Sequence, residues 1–210
     1  MNETARYLGY RRATPPDVDV STLIEKAASE MQAVMKPQAV FEVFDLSVVE
    51  CSRSDRLLSL SKHETTMSAD VCAGSNTLRF ADVTLRSKDL AINLENCTKV
   101  ALLAATIGPQ VDALIRKNSS LDPVYASILQ ATGAMFIEEV VDFVNDEIKK
   151  IADSQGLKTK PRYSPGFGDV PLEVQRDFFR LLPCTRIGLT LMDTLIMAPE
   201  KSVTAFVGLF

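Results

Sequence analysis

The chain has 210 residues, 46% hydrophobic and 24% charged, with 23 Lys and Arg against 27 Asp and Glu and a net charge of -4. This length and composition suit a soluble globular protein of one large domain, and the acidic balance excludes a general basic footprint for nucleic acid. The longest apolar run, 100–107, is too short to span a bilayer, and residues 1–20 carry no charged-then-apolar leader, so the expectation is a cytoplasmic protein without a membrane or nucleic-acid partner.

Thr14-Pro15-Pro16-Asp17 is a turn opening a helix, with Asp17 or Asp19 as its cap. Leu23, Ile24, Ala27, Ala28, Met31 and Val34 then recur at helical spacing until Lys36-Pro37. Residues 40–49 are rich in β-branched and aromatic side chains and predict a strand, continuing past a bend near Leu46. Residues 52–76 are polar, with a short strand around Leu57, Leu58 and Leu60 and a turn at Ala73-Gly74-Ser75-Asn76. A strand over 77–82 follows, then a helix over 88–95 capped by Ser87, a fully apolar buried strand over 100–106, and a helix from Pro109 to Asn118. Asp122-Pro123 opens the longest helix, which runs to about Ala152 and stops at Gln155-Gly156. Beyond a polar loop at 157–170, a helix is predicted over 172–182 with Asp169 as its cap. Three strands follow, over 186–191, 194–198 and 202–209, the last two forming a hairpin about Pro199-Glu200-Lys201. Helices and strands alternate irregularly, which predicts an α+β fold with a largely antiparallel sheet.

Cys51, Cys72, Cys97 and Cys184 form no Cys-x-x-Cys pair and read as reduced thiols; the one histidine, His63, reads as a loop residue without partners for a zinc site. No glycine-rich nucleotide loop follows a first strand, so an ordinary Rossmann-type methyltransferase is disfavoured. No Asp-x-His-x-x-Gly stands where a chain would give a histidine to cobalt. The chemistry-bearing stretch is Arg162-Tyr163-Ser164-Pro165-Gly166-Phe167-Gly168-Asp169. Arg162 offers a planar fork for a carboxylate or phosphate, and the Pro165-Gly166 turn lets backbone approach a ligand. The plainer reading of Arg162 is a solvated charge, and of Gly166 and Phe167 a tight turn with one core ring. Glu138 and Glu139 stand on the long helix, where a carboxylate is ordinarily a solvated face.

Arg162-x-x-x-Gly166-Phe167, followed by a helix, then Gly188-Leu189-Thr190-Leu191, Met197-Ala198-Pro199 and Lys201-Ser202-Val203-Thr204, resembles the S-adenosylmethionine-binding activation domain of cobalamin-dependent methionine synthase, most closely its short, stand-alone versions. The resemblance is strongest from Arg162 to Phe210, extends to residue 85, and is faint over 1–84, which read as an N-terminal helix and strands of the same domain. It implies a single bent domain with helices, one of them long and central, flanking one twisted sheet. It implies that Arg162 holds the ligand's carboxylate, that Pro165, Gly166 and Phe167 cradle it, and that Glu138, with Glu139 one position along the helix as the alternative, balances its positive charge. Phe167 and Val207 stand where the family carries tyrosines. No catalytic side chain is implied: the chain would bind S-adenosylmethionine and support reductive methylation of cobalamin carried by a separate methionine synthase lacking its own activation domain, with a flavodoxin-like protein as reductant. A sensor of S-adenosylmethionine without a corrinoid partner, a fold-retaining protein without ligand, and an independent small-molecule methyltransferase are the alternatives.

Overall fold

The computed structural model describes residues 3–11, 13–49 and 77–210. A short helix, α1 (Glu3–Tyr7), precedes α2 (Val18–Val34), whose N-terminus is capped by Asp17 accepting from the Val20 N–H at 2.8 Å. The first strand, β1 (Gln38–Val49), is unbroken but changes partner at the predicted bend. Its residues Gln38–Asp45 pair with β4 (Lys99–Thr106), and Leu46–Val49 pair with β2 (Thr77–Phe80). The predicted strand over 77–82 ends early, because Ala81 takes a φ of 47° in a tight turn and the chain returns as β3 (Val83–Arg86). That second strand was hidden by its shortness. The predictions at 52–76, and those for Cys51, His63 and Cys72, lie outside the described residues.

With β7 (Ser202–Leu209) the sheet has the order β3-β2-β1-β4-β7, and every pairing is antiparallel. The architecture is α+β. Along β4, alternate residues face opposite layers, so an almost wholly apolar strand is buried on both sides. Ala101, Leu103 and Ala105 join the layer formed by α1, α2, α4 (Pro109–Ser119) and α5 (Pro123–Ser154). Val100, Leu102 and Ala104 face α3 (Lys88–Asn93) and the C-terminal helical segment, a 3-10 turn at Leu172–Val174 running into α6 (Gln175–Leu181).

The 32-residue α5 is the scaffold of the helical layer. Asp122 caps it by accepting from the Tyr125 N–H at 3.0 Å, and Pro123 occupies a first-turn position where its missing N–H costs nothing. By length and composition α5 could cross a membrane, but Ile128, Leu129, Phe136, Val141, Val144 and Ile148 are buried against the sheet and its neighbouring helices. Phe143 of the same helix is exposed.

Two readings of the C-terminal region are corrected. The last two strands form no hairpin. A two-residue β6 (Met197–Ala198) pairs with β5 (Thr190–Leu191), and β7 pairs with β4. The strand predicted over 186–191 begins instead as a 3-10 turn, Cys184–Ile187, closed by Gly188 in the left-handed region. Local turn chemistry around Pro199 was read correctly as a reversal, but the long apolar β7 finds more burial beside β4 than beside a two-residue strand. The absence of a side chain at Gly208 permits this: a Cβ there would lie 2.5 Å from the Cys97 sulfur and 2.6 Å from a Leu94 methyl.

Asp169 does not cap the helical turn that follows it, which has no side-chain cap. The loop folds back, with the Gly166 N–H bonding to the Val170 carbonyl at 3.0 Å. Asp169 there reaches the start of α3, accepting from the Ser87 hydroxyl and from the backbone N–H groups of Lys88 (2.6 Å) and Asp89 (3.2 Å). Ser87 itself caps α3 through the Leu90 N–H. Burial opposes ionisation of Asp169, but the Ser87, Lys88 and Asp89 hydrogen bonds outweigh it and lower its pKa. A lowered folded-state pKa means a stabilisation present above the unfolded value, about 3.9, and lost as pH falls through the folded one. Because Asp169 is exposed, Asp169→Ala is expected to cost no more than about 1 kcal/mol at pH 7 and progressively less on acidification. Urea unfolding of both proteins at pH 7 and near pH 3 measures this, and a difference independent of pH would contradict it.

Candidate functional site

Residues 158–163 run along the outer edge of β7. The Lys158 N–H bonds to the Phe210 carbonyl (2.8 Å), Lys160 to Gly208 (2.9 Å), and Tyr163 and Phe206 exchange bonds of 3.0 and 2.7 Å. Side chains alternate on such an edge. Tyr163 packs into the layer of α3 and α6, and Arg162 turns to the opposite side, toward α5. The backbone pairing of a polar-looking loop thus fixes where the guanidinium points.

Arg162 is brought together with Glu138. Its Nη2 lies 3.0 Å from Glu138 Oε2, and its Nη1 lies 2.5 Å from Asp142 Oδ1. Asp142 was not singled out in the sequence, yet its spacing from Glu138 is i, i+4, which places both carboxylates on one helical face. The guanidinium side chain is 25% exposed, so this fork is largely withdrawn from water but still reachable. Two of its five N–H donors are committed to the two acids.

These three side chains sit in a cavity of about 240 Å³ lined also by Met135 and Glu139 of α5 and by Glu3, Arg6 and Tyr7 of α1. Helix α1 is held there in part by the Thr4 hydroxyl, 3.3 Å from the Met135 sulfur. The contribution of α1 gave no sequence signal, since five residues carry too little periodicity to predict a helix. Arg6 pairs with Glu3 at 2.6 Å and lies 5.6 Å from the Tyr7 ring centroid.

Pro165, Gly166 and Phe167 do not line this cavity. Gly166 adopts a φ of 86°, conformational space that a side chain would strain, in a turn whose Phe167 N–H bonds to the Ser164 carbonyl. Pro165 is buried and the Phe167 ring is 68% exposed. Val207, where the resembled family carries a tyrosine, is fully buried in the helical layer. Ser202 and Val203 pair with Thr106 and Ala105 in the sheet. Among the described residues, no group of three or more His, Cys, Asp or Glu side chains is placed to hold a metal ion.

No family model matches the chain, and no curated protein matches it in sequence. Among solved structures, the MetH reactivation domain bound to AdoHcy superposes with a TM-score of 0.59 at 17% identity, over 97% of this chain and 68% of that one. The chain has the fold of the MetH reactivation domain. The likeness extends over nearly the whole of this chain, including the N-terminal region where the sequence resemblance is faint. In this reactivation-domain fold, the Arg162 edge segment and α5 face one another across a small charged cavity, and that juxtaposition is the feature with chemistry in it. A guanidinium beside two carboxylates can exchange partners with an amino-acid zwitterion. The carboxylate of such a zwitterion would have fork positions on Arg162 to take, and its ammonium a freed acid. About 240 Å³ lies below the usual range for whole drug-sized ligands and suits an amino-acid tail.

Proposed function

We propose that this chain binds S-adenosylmethionine, with its methionyl tail in the cavity between Arg162 and α5, and serves the reductive methylation of cobalamin on a methionine synthase. The observation that carries the reading is the triad of Arg162, Glu138 and Asp142, set in a fold shared with a reactivation domain solved with AdoHcy. S-adenosylmethionine supplies, when bound, a methyl group on a cationic sulfur. The residues of this chain do the holding. Arg162 receives the carboxylate, which needs a partner once taken out of water. Glu138 and Asp142 receive the ammonium. The edge pairing of 158–163 with β7 keeps the guanidinium on the α5 side. Fixing both ends of the tail orients the rest of the molecule, and orientation is the contribution asked of a binding subunit with no acid, base or nucleophile of its own. The Pro165–Phe167 turn, outside the cavity, would meet the ligand only where it extends along the surface.

Calorimetry with S-adenosylmethionine tests the binding, and co-purification with a cobalamin-dependent methionine synthase, assayed with a flavodoxin-like reductant, tests the role. Saturable heat together with restored synthase turnover is the expected result. Heat without any complex would leave a sensor of S-adenosylmethionine. A second reading, a protein that retains the fold without the ligand, is favoured by two observations. Arg162 is already paired with two acids, and Val207 presents no polar atom where a tyrosine is expected. A folded protein giving no heat at millimolar ligand would establish that reading instead.

A further inference from the structure

The cavity that receives Arg162 is not neutral. Its lining carries four carboxylates, Glu3, Glu138, Glu139 and Asp142, against two guanidiniums, Arg6 and Arg162, an excess of two negative charges. Glu3 is matched by Arg6 at 2.6 Å, and Arg162 is shared by Glu138 and Asp142, so the surplus belongs to the α5 wall. An amino-acid tail brings a carboxylate and an ammonium that cancel, and swapping it into the ion pairs leaves the surplus unchanged. The rest of the ligand then decides the electrostatics. S-adenosylmethionine carries one further positive charge, on its sulfonium, and S-adenosylhomocysteine, its product after methyl loss, carries none.

Resting on the binding reading above, we infer that the cavity discriminates by charge, retaining the sulfonium donor and releasing the neutral thioether. Glu139 is the residue that sets this preference without belonging to the Arg162 pairs. It lies one position from Glu138, is exposed, and lines the same cavity from the same helix. At an effective dielectric near that of water, each surplus charge within several ångströms of the sulfonium is worth about threefold in affinity, and the two together about tenfold. That preference requires no contact with the methyl group, only a fixed field. It removes the product by the same charge change that the methyl transfer produces. The preference also depends on salt, because the cavity opens to solvent.

The test is calorimetric titration of the whole chain with S-adenosylmethionine and with S-adenosylhomocysteine, at low and at high ionic strength. Titrations with S-methylmethionine and with methionine serve as a second pair differing in the same sulfonium charge. The expected result is a dissociation constant about tenfold lower for the sulfonium member of each pair at low salt, converging as salt rises. Glu139→Gln should narrow the ratio to roughly threefold, half of the logarithmic effect. Asp153→Asn, which removes a charge from the last turn of α5 outside the cavity lining, should leave it unchanged. Equal constants for sulfonium and thioether, or a ratio insensitive to Glu139, would overturn the charge selectivity while leaving the binding reading intact. Absence of binding by both nucleosides, with the protein folded by circular dichroism, would overturn the binding reading and the selectivity with it.

Discussion

Arg162→Ala is expected to weaken S-adenosylmethionine binding by about 1.5–3 kcal/mol, roughly 10- to 150-fold in the dissociation constant. The estimate follows from a charge-assisted hydrogen bond to a group withdrawn from water, since the Arg162 side chain is only 25% exposed. The same substitution should scarcely change stability. It strands Glu138 and Asp142, but those side chains are 43% and 69% exposed and are solvated when the guanidinium leaves. Exposed ion pairs of this kind contribute up to about 1 kcal/mol. Calorimetry and thermal unfolding of one variant therefore separate a binding residue from a structural one. Undiminished affinity in a folded Arg162→Ala protein would refute the assignment.

A large loss of stability is expected at Phe206. Its side chain is fully buried, with the Phe178 ring 4.8 Å away at 70° and the Phe80 ring 5.7 Å away at 74°, both edge-on. Phe206→Ala should cost about 3–5 kcal/mol, from lost transfer energy and the cavity left among β2, β7 and α6. It should also weaken ligand binding, since Phe206 is the β7 residue whose backbone exchanges hydrogen bonds with Tyr163, next to Arg162. Urea unfolding gives the first quantity, provided the slope of the transition is unchanged. A loss below about 1.5 kcal/mol would mean that the ring layer repacks around the gap.

Much of this fold is legible because its elements announce themselves locally. Asp17, Ser87 and Asp122 cap the helices that the sequence assigns to them, and Pro123 starts α5 where expected. The unbroken apolar run of β4 predicts a strand buried on both faces, and the layers on either side account for it. The failures are non-local. Whether β7 pairs with β6 or β4 depends on burial contributed from a hundred residues away, which turn chemistry at Pro199 does not report. The carboxylate of Asp169 is chemically suited to a helix N-terminus, but sequence adjacency named the wrong helix. The right one, α3, is separated by 80 positions and is reached only through the folded-back loop at Gly166.

The site divides the same way. The resemblance set Arg162 and Glu138 each against the ligand; the ion pair between them comes from the edge strand at 158–163, which turns the guanidinium toward α5. Asp142 was recoverable from helical spacing alone. Glu3, Arg6 and Tyr7 were not, since nothing local marks α1 as a cavity wall. The resemblance set the Pro165–Phe167 turn around the same ligand as Arg162. Alternation along the edge sends Arg162 to the α5 side, and the reversal at Gly166 leaves the Phe167 ring in solvent.

A crystal structure of the chain with S-adenosylmethionine or S-adenosylhomocysteine would test the central claim most directly. The expected density places the ligand carboxylate within hydrogen-bond distance of the Arg162 guanidinium and the ammonium beside Glu138 or Asp142. Ligand bound elsewhere, with Arg162 still held by both acids, would contradict it.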